Sequence, residues 1–258
     1  MTGVAPKVVI TGASSGIGKA LAIEYARRGA TLGLIARRND RLRELELSLP
    51  VRPFIYTADV TDAHAMGDAA GDFVRRAGVP DIVIGNAGIS AGTLTARIED
   101  NAVFEEIVRV NLTGLMLTFQ PFIEAMRNRG SGSLVGIASV AGFRGLPGAA
   151  AYSASKSAAI SYLESLRVEM RGSGVSVITI CPGYVATPLT SKNPYRMPFL
   201  MDASDAARKI ASAIHARKRF YVFPWQMALV GWVLRRLPRP LYELLFAHAP
   251  HKPRRASG

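Results

Sequence analysis

The amino-acid sequence predicts a doubly wound α/β fold: a seven-stranded parallel sheet with helices on both faces, in a single domain. Two observations lead to it. Short apolar, β-rich runs alternate with longer stretches of helical periodicity along most of the 258 residues. The runs are near-continuous in Val, Ile and Leu without polar alternation, which implies burial on both faces, as in a parallel sheet covered by helices on either side. In order they are KVVIT (7–11), TLGLIA (31–36), RPFIYTA (52–58), DIVIG (81–85), SLVGIAS (133–139), VSVITIC (175–181) and RFYVF (219–223). Helix-sized segments fill the intervals. No repeat, low-complexity tract or linker interrupts the chain before about residue 224, so residues 1–224 read as one unit and 225–258 as a basic, apolar helical extension.

Composition narrows the function. At 49% hydrophobic and 20% charged residues the chain is ordinary globular material. The single cysteine, Cys181, excludes an internal disulfide framework, fits a reducing compartment, and reads as a small core residue at the end of a buried strand. The opening MTGVAPKVVITGASSG breaks into glycine and serine after a short apolar run, so neither a signal nor a transit peptide is expected and the location reads as cytoplasmic. The formal charge of +13 is unevenly placed, with a net +3 over residues 1–189 and +10 over residues 190–258. That basic quarter has no zinc-finger spacing and no basic region feeding heptads, and its arginines alternate with Trp, Leu and Pro, so no nucleic-acid partner is expected. Of four scattered histidines only His248 and His251 are close, with a proline between them, so no metal site is expected.

The first strand-to-helix turn carries the chemistry. VVITGASSGIGKALAIEYARRG places Gly12, Gly16 and Gly18 where a strand ends and a helix begins, with Ser14 and Ile17 between them. Glycines there permit a tight turn, let backbone approach a pyrophosphate, and allow close helix-to-strand packing. The helix N-terminus adds free N–H donors and positive dipole, which makes a Rossmann-like dinucleotide cradle. Alone, such a turn is as often merely structural. The phosphate loop of ATPases fails on spacing, because positions 13 and 20 are both alanine.

Further residues follow in order: Asp59-Val60 in ADV, Asn86-Ala87-Gly88 in IGNAG, Asn111 in VNLTG, Ser139 in GIASVAG, Tyr152 and Lys156 in AYSASK, and PGYVAT from Pro182 and Gly183 to Thr187. Together with the G-x-x-x-G-x-G spacing, this series resembles the short-chain dehydrogenase/reductase family from residue 7 to about 190. The resemblance implies hydride transfer between a nicotinamide and a carbonyl or alcohol carbon. Tyr152 is then the general acid in reduction, Lys156 the cation that lowers its phenol and holds the nicotinamide ribose, and Ser139 the partner of the substrate oxygen. Asn111 holds a proton-relay water through its backbone. A Tyr and Lys at i, i+4 are by themselves most often a solvated helix face; Ser139 and the cradle reverse that reading. The NLT at 111–113 also matches a glycosylation acceptor, expected to be accidental because no secretory signal is expected.

An NAD enzyme of this kind places an acidic residue at the end of the second strand, where this chain has Ala36, Arg37 and Arg38. Two guanidiniums in place of a carboxylate favour NADP, with Arg37 as the phosphate partner, Ser14 as a second donor and Arg38 the one that could merely face solvent. Asp59 would meet the adenine, Asn86 and Gly88 would line the cofactor, and Thr187 would bind the carboxamide. Gly85 stands where the family often has asparagine.

The segment PLTSKNPYRMPFLMDASDAARK forms the pocket lid in the family. Its Leu, Met, Phe and Tyr residues suit a hydrophobic ketone, aldehyde or acyl-chain substrate, or equally pack the lid onto the core. From Trp225 to Leu234 the apolar run is roughly 15 Å as a helix, too short for a bilayer core of about 30 Å. With LYELLFAH after Pro240 it makes two short helices joined by a basic hinge. Across 225–249 these can rest on an anionic membrane surface, or pack on a neighbouring subunit or the protein's own pocket, and packing is slightly favoured because the first helix has no clean polar face. The resemblance also implies a homodimer or homotetramer acting on a small-molecule carbonyl or alcohol. The rival from another class is a non-catalytic NADP-binding sensor or membrane-associated protein on the same fold, which would not need serine, tyrosine and lysine together.

Overall fold

The computed structural model describes residues 5–247, 249 and 251–254. Its first half runs β1 (Lys7–Thr11), α1 (Gly16–Arg27), β2 (Thr31–Ala36), α2 (Asn39–Ser48), β3 (Phe54–Thr57), α3 (Ala63–Ala77), β4 (Ile82–Gly85), α4 (Asn101–Val108) and α5 (Gly114–Arg129). The second half runs β5 (Gly132–Ile137), α6 (Ala150–Glu169), β6 (Val175–Pro182), β7 (Val185–Ala186), β8 (Met201–Asp202), α7 (Ala203–His215), β9 (Phe220–Phe223), α8 (Trp225–Arg236) and α9 (Arg239–Phe246). Seven strands form one sheet in the order β3-β2-β1-β4-β5-β6-β9, and every pairing in it is parallel.

Both faces of the sheet are buried, as the apolar runs require. Val8 and Ile10 of β1, Val135 of β5 and Ile178 and Ile180 of β6 pack with Leu21 and Tyr25 of α1, Leu42 of α2 and Ile210 of α7. Their neighbours Val9, Leu134 and Val177 point to the opposite face and meet Met66 and Phe73 of α3, Phe119 of α5 and Leu163 of α6. The two clusters are the period-2 alternation of each strand read out as two layers. Strand order reverses between β1 and β4, which opens a crevice at the carboxyl ends of the central strands.

Several elements depart from the sequence reading. The third strand is shorter than 52–58, because Arg52 and Pro53 lie outside the ladder. The fifth stops at Ile137, and Ser139 instead caps a turn of 3-10 helix, Val140–Gly142, by accepting from the Ala141 N–H at 3.1 Å. The two-residue strands β7 and β8 pair with each other and brace the lid, too short to show any periodicity. The helix after the basic hinge begins at Arg239 with Pro240 in its first turn, where the missing N–H costs nothing.

The C-terminal helices fold back onto the domain. Gly231 of α8 lies against the Phe143 ring, and Arg235 stacks its guanidinium 4.1 Å from the centre of that ring. Arg144 donates to the Leu237 carbonyl and Tyr242 of α9 donates to the Gly145 carbonyl, each at 2.5 Å. The opposite side stays open, with Trp225 70% and Leu244 74% exposed. Among the described residues no helix is long and apolar enough to cross a membrane. No cluster of three metal-ligating side chains occurs among them; His248 lies outside the described residues.

Candidate active site

The crevice holds a cleft of about 380 Å³ that brings together Gly12, Ser14, Gly16, Ile17, Arg37, Arg38, Asp59, Val60, Asn86, Gly88, Ser139, Tyr152, Lys156, Pro182, Gly183 and Thr187, as the sequence reading expects of one site. Asn111, outside that lining, sits directly behind it.

At one end is the glycine turn. Gly12 has φ 66°, a left-handed conformation that disfavours a side chain, and a Cβ on Gly18 would collide with the Gly12 carbonyl. The turn is tied to β4 through Thr11, a residue that the sequence reading did not single out. Its buried Oγ1 accepts from the Asn86 and Ala87 N–H groups at 3.2 and 3.3 Å, while Asn86 Nδ2 donates to the Thr11 and Gly12 carbonyls at 3.0 and 3.3 Å. Asn86 thus braces the cradle from behind. Ser15, the N-cap of α1, makes no side-chain cap, and the first turn of that helix carries no acidic residue. Uncapped N–H groups, positive dipole and absent side chains together fit a dinucleotide pyrophosphate. At β4, Gly85 leaves room that the Leu115 side chain of α5 fills, which accounts for a position where no larger residue fits.

Beyond β2 the two arginines diverge. Arg38 donates from Nη2 to Ser14 Oγ at 3.2 Å, whereas Arg37 leans 3.6 Å from the Asp59 carboxylate. The arginine ranked as solvent-facing is the one joined to the turn. Burial pushes the Asp59 carboxyl upward but is outweighed by two hydrogen bonds from Thr61 and by Arg37, which together hold it below its ordinary value.

At the other end stand Ser139, Tyr152 and Lys156. Tyr152 and Lys156 share one face of α6, and Lys156, buried, donates to the Ile137 carbonyl at 2.8 Å. Burial pushes the Lys156 ammonium down to about 8. Burial also holds the Tyr152 phenol above its ordinary value, against a hydrogen bond with Ser139 that lowers it. The sequence reading expects a phenol lowered by Lys156; in the structure the desolvation of the ring outweighs every favourable contact, and Lys156 is engaged by the β5 carbonyl 5.9 Å from the ring centre. Asn111 lies in a turn of π helix, Arg109–Thr113, where its amide accepts from the Ile89 N–H at 2.8 Å and donates to the Ile89 carbonyl and to Ser155 Oγ. Ser155 fixes Asn111 and is a further residue that spacing did not disclose. Cys181 is fully buried and its thiol is pushed up to about 12 by that burial, which suits a core residue.

On the lid side, Thr187 abuts Gly16 and bonds Thr190, whose hydroxyl in turn donates to the Val185 carbonyl at 2.6 Å. Tyr195 comes near enough to Tyr184 and Tyr152 for their charges to raise its phenol further, after the larger effect of its own burial.

A glycine-rich turn at the switch point of a parallel sheet and a Ser-Tyr-Lys cluster beside it define a nicotinamide-dependent oxidoreductase. The short chain dehydrogenase family model matches residues 6–197, and the chain belongs to that family. An uncharacterized oxidoreductase of Myxococcus xanthus is 39% identical over 240 residues, covering 91% of this chain and 94% of the relative. A 3-oxoacyl-(acyl-carrier-protein) reductase of Thermotoga maritima is 34% identical over 189 residues, 72% of this chain and 76% of its own. Among solved structures, an alcohol dehydrogenase of Thermococcus sibiricus complexed with 5-hydroxy-NADP superposes with a TM-score of 0.76 at 27% identity, covering 84% of this chain and 95% of that one. The protein is an oxidoreductase acting on CH–OH or C=O groups of small molecules.

Proposed function

We propose that the protein is an NADP(H)-dependent reductase or dehydrogenase of a hydrophobic carbonyl or alcohol, with residues 1–224 as its catalytic unit and 225–258 as an extension of it. The observation that carries this reading is the convergence of Ser139, Tyr152 and Lys156 at one end of the cleft whose other end holds the uncapped glycine turn. A nicotinamide bound there supplies or accepts the hydride. Ser139 orients the substrate oxygen, and Tyr152, its phenol kept protonated by burial, donates the proton that balances the reduced oxygen. The Lys156 ammonium has three donors; one goes to Ile137, leaving two for ribose hydroxyls or the phenol oxygen. Asn111, Ser155 and the π turn hold backbone for a relay water behind Lys156.

Three observations support the finer parts of the reading. Arg38 with Ser14, and Arg37 beside them, offer a 2′-phosphate two guanidiniums and a hydroxyl, and one structural neighbour is a complex with an NADP analogue. Pro188 and Leu189 bring apolar side chains of the lid into the cleft, and Tyr195 is half-buried near Tyr184 and Tyr152. Trp225, Trp232, Leu244 and Leu245 are each exposed and Arg236 stacks on Trp232, which supports contact of 225–249 with a neighbouring subunit or with an anionic membrane surface, in an enzyme proposed to be cytoplasmic. A homodimer or homotetramer through α4, α5 and α6 follows from the family, with Phe104 and Met116 exposed there.

Carbonyl panels followed by NADPH absorbance test the reaction: aliphatic and aromatic ketones or aldehydes are expected to be reduced, and turnover of small polar carbonyls alone would overturn the substrate class. Flotation with anionic vesicles tests the outer face. Trp232→Glu with Leu244→Glu is expected to abolish binding; a changed oligomer mass without vesicle binding would make that face a subunit contact instead.

A further inference from the structure

After α9 the chain returns to the site. The Gly92 N–H donates to the Pro253 carbonyl at 2.8 Å, and Gly92 forms a parallel bridge with Arg254. A Cβ at Gly92 would run into the Lys252 carbonyl. Arg254 donates to both carboxylate oxygens of Asp100, Nε at 2.9 and 3.1 Å and Nη2 at 3.0 Å, while Asp100 also accepts from the Leu94 N–H at 2.8 Å. The Asp100 side chain is 6% exposed, so this bidentate pair is an anchored clamp. Between the clamp and α9, Lys252 is turned inward. Its Nζ donates to Ser90 Oγ at 2.8 Å and lies 5.6 Å from the centre of the Tyr152 ring. Among the described residues no carboxylate pairs with it, and burial alone pushes its ammonium down to about 8. A partly buried cation with a hydroxyl beside it thus stands next to the reacting tyrosine, unpaired with any carboxylate of the described residues.

We propose that Lys252, with Ser90, is the anion-recognition element of the substrate pocket, and that the substrate is a carbonyl compound bearing a carboxylate a few carbon atoms from the reacting carbon. The assignment rests on the reductase reading of the same site. Two donors 2.8 Å apart match the two oxygens of one carboxylate. Lys252 lies on the Tyr152 side, away from the glycine turn and from Arg37 and Arg38, so cofactor phosphates are held elsewhere. The apolar side chains of the lid then take the rest of an amphiphilic substrate. Arg254 and Asp100 are positioning residues, acting by holding Lys252 in place.

The test is equilibrium binding of an unreactive pair, pentanoate and pentanamide, to enzyme saturated with NADPH, read by calorimetry. Wild type is expected to bind the carboxylate at least about tenfold more tightly than the amide. Lys252→Met is expected to erase that preference, Lys252→Arg to keep most of it, and Asp100→Asn to weaken it by loosening the clamp. Equal binding of acid and amide by wild type, or an undiminished preference in Lys252→Met, would overturn the proposal. In parallel, 2-, 3- and 4-oxo acids are compared with their methyl esters, and Lys252→Met is expected to raise KM for the preferred acid about tenfold more than for its ester. If neither acids nor esters are turned over with either nicotinamide, the reductase reading fails, while the binding preference still decides the role of Lys252.

Discussion

Replacing Arg38 by alanine isolates one donor of the proposed 2′-phosphate site. The side chain is solvent-exposed and bonds Ser14 at 3.2 Å, so its loss leaves no buried group unpaired and the cradle intact. A hydrogen bond to a charged group is worth about 1.5–3 kcal/mol, and exposure argues for the lower figure. At about 1.4 kcal/mol per factor of ten, the Kd for NADPH is expected to rise roughly tenfold while that for NADH stays within about twofold. Arg37→Ala is expected to cost less, because that side chain is 57% exposed and its guanidinium is shared with Asp59. The double variant tests coupling: two arginines on one phosphate give a loss that differs from the sum of the single losses. Kd is read from the change in NADPH emission on titration at fixed ionic strength, since the preference should shrink as salt rises. If wild type binds NADPH and NADH alike, or Arg38→Ala weakens both equally, the 2′-phosphate assignment is refuted.

Other perturbations reach other parts of the molecule. Tyr152→Phe is expected to lower turnover at least about a hundredfold with NADPH binding retained, and preserved turnover would remove the tyrosine from proton transfer. Because burial holds the Tyr152 phenol above its ordinary value, the acid form prevails at neutral pH; alcohol oxidation, which needs the base form, is expected to rise steadily with pH through the alkaline range, and a pH-independent rate would contradict this. Gly231→Ala drives a Cβ into Phe143, itself stacked on Phe220, and is expected to cost about 1–3 kcal/mol, seen as a Tm lower by roughly 2–4 °C per kcal/mol. The Arg254 hydrogen bonds hold the Asp100 carboxyl below its ordinary value, so the clamp is complete above the usual carboxylate pKa of about 4 and is lost as pH falls through the lower folded value. Protection of the Gly92 amide, taken relative to its intrinsic exchange rate at each pH, is expected to fall only in acid, and detachment near pH 6 would exclude this clamp.

The sheet was legible because its strands are buried on both faces, and Val8, Val9 and Ile10 need no polar alternation to find two cores. The site was legible where its parts are local: a glycine turn, or a tyrosine and lysine one helical turn apart. Three features were not. Ser139 leaves the ladder to cap a turn while the residues around it remain apolar, so periodicity carries the strand too far. Thr11 and Ser155 act by holding Asn86 and Asn111, a role visible only once β1 meets β4 and α6 meets the π turn. Lys252 stands a hundred residues from Tyr152 in an irregular segment, and nothing in its neighbours announces the contact.

The parallel pairing has a consequence for how the molecule assembles. Val8 of β1 joins Ile82 of β4, Thr179 of β6 joins Phe220 of β9, and the Lys252–Ser90 contact ties the tail to the loop after β4. Each of these closes a long loop, whose entropy is lost before the contact repays it, so refolding is expected to be slow and dominated by non-local steps. Helical signal should return well before enzymatic activity. During that interval unsatisfied strand edges are exposed, and dilute refolding conditions will favour recovery over aggregation.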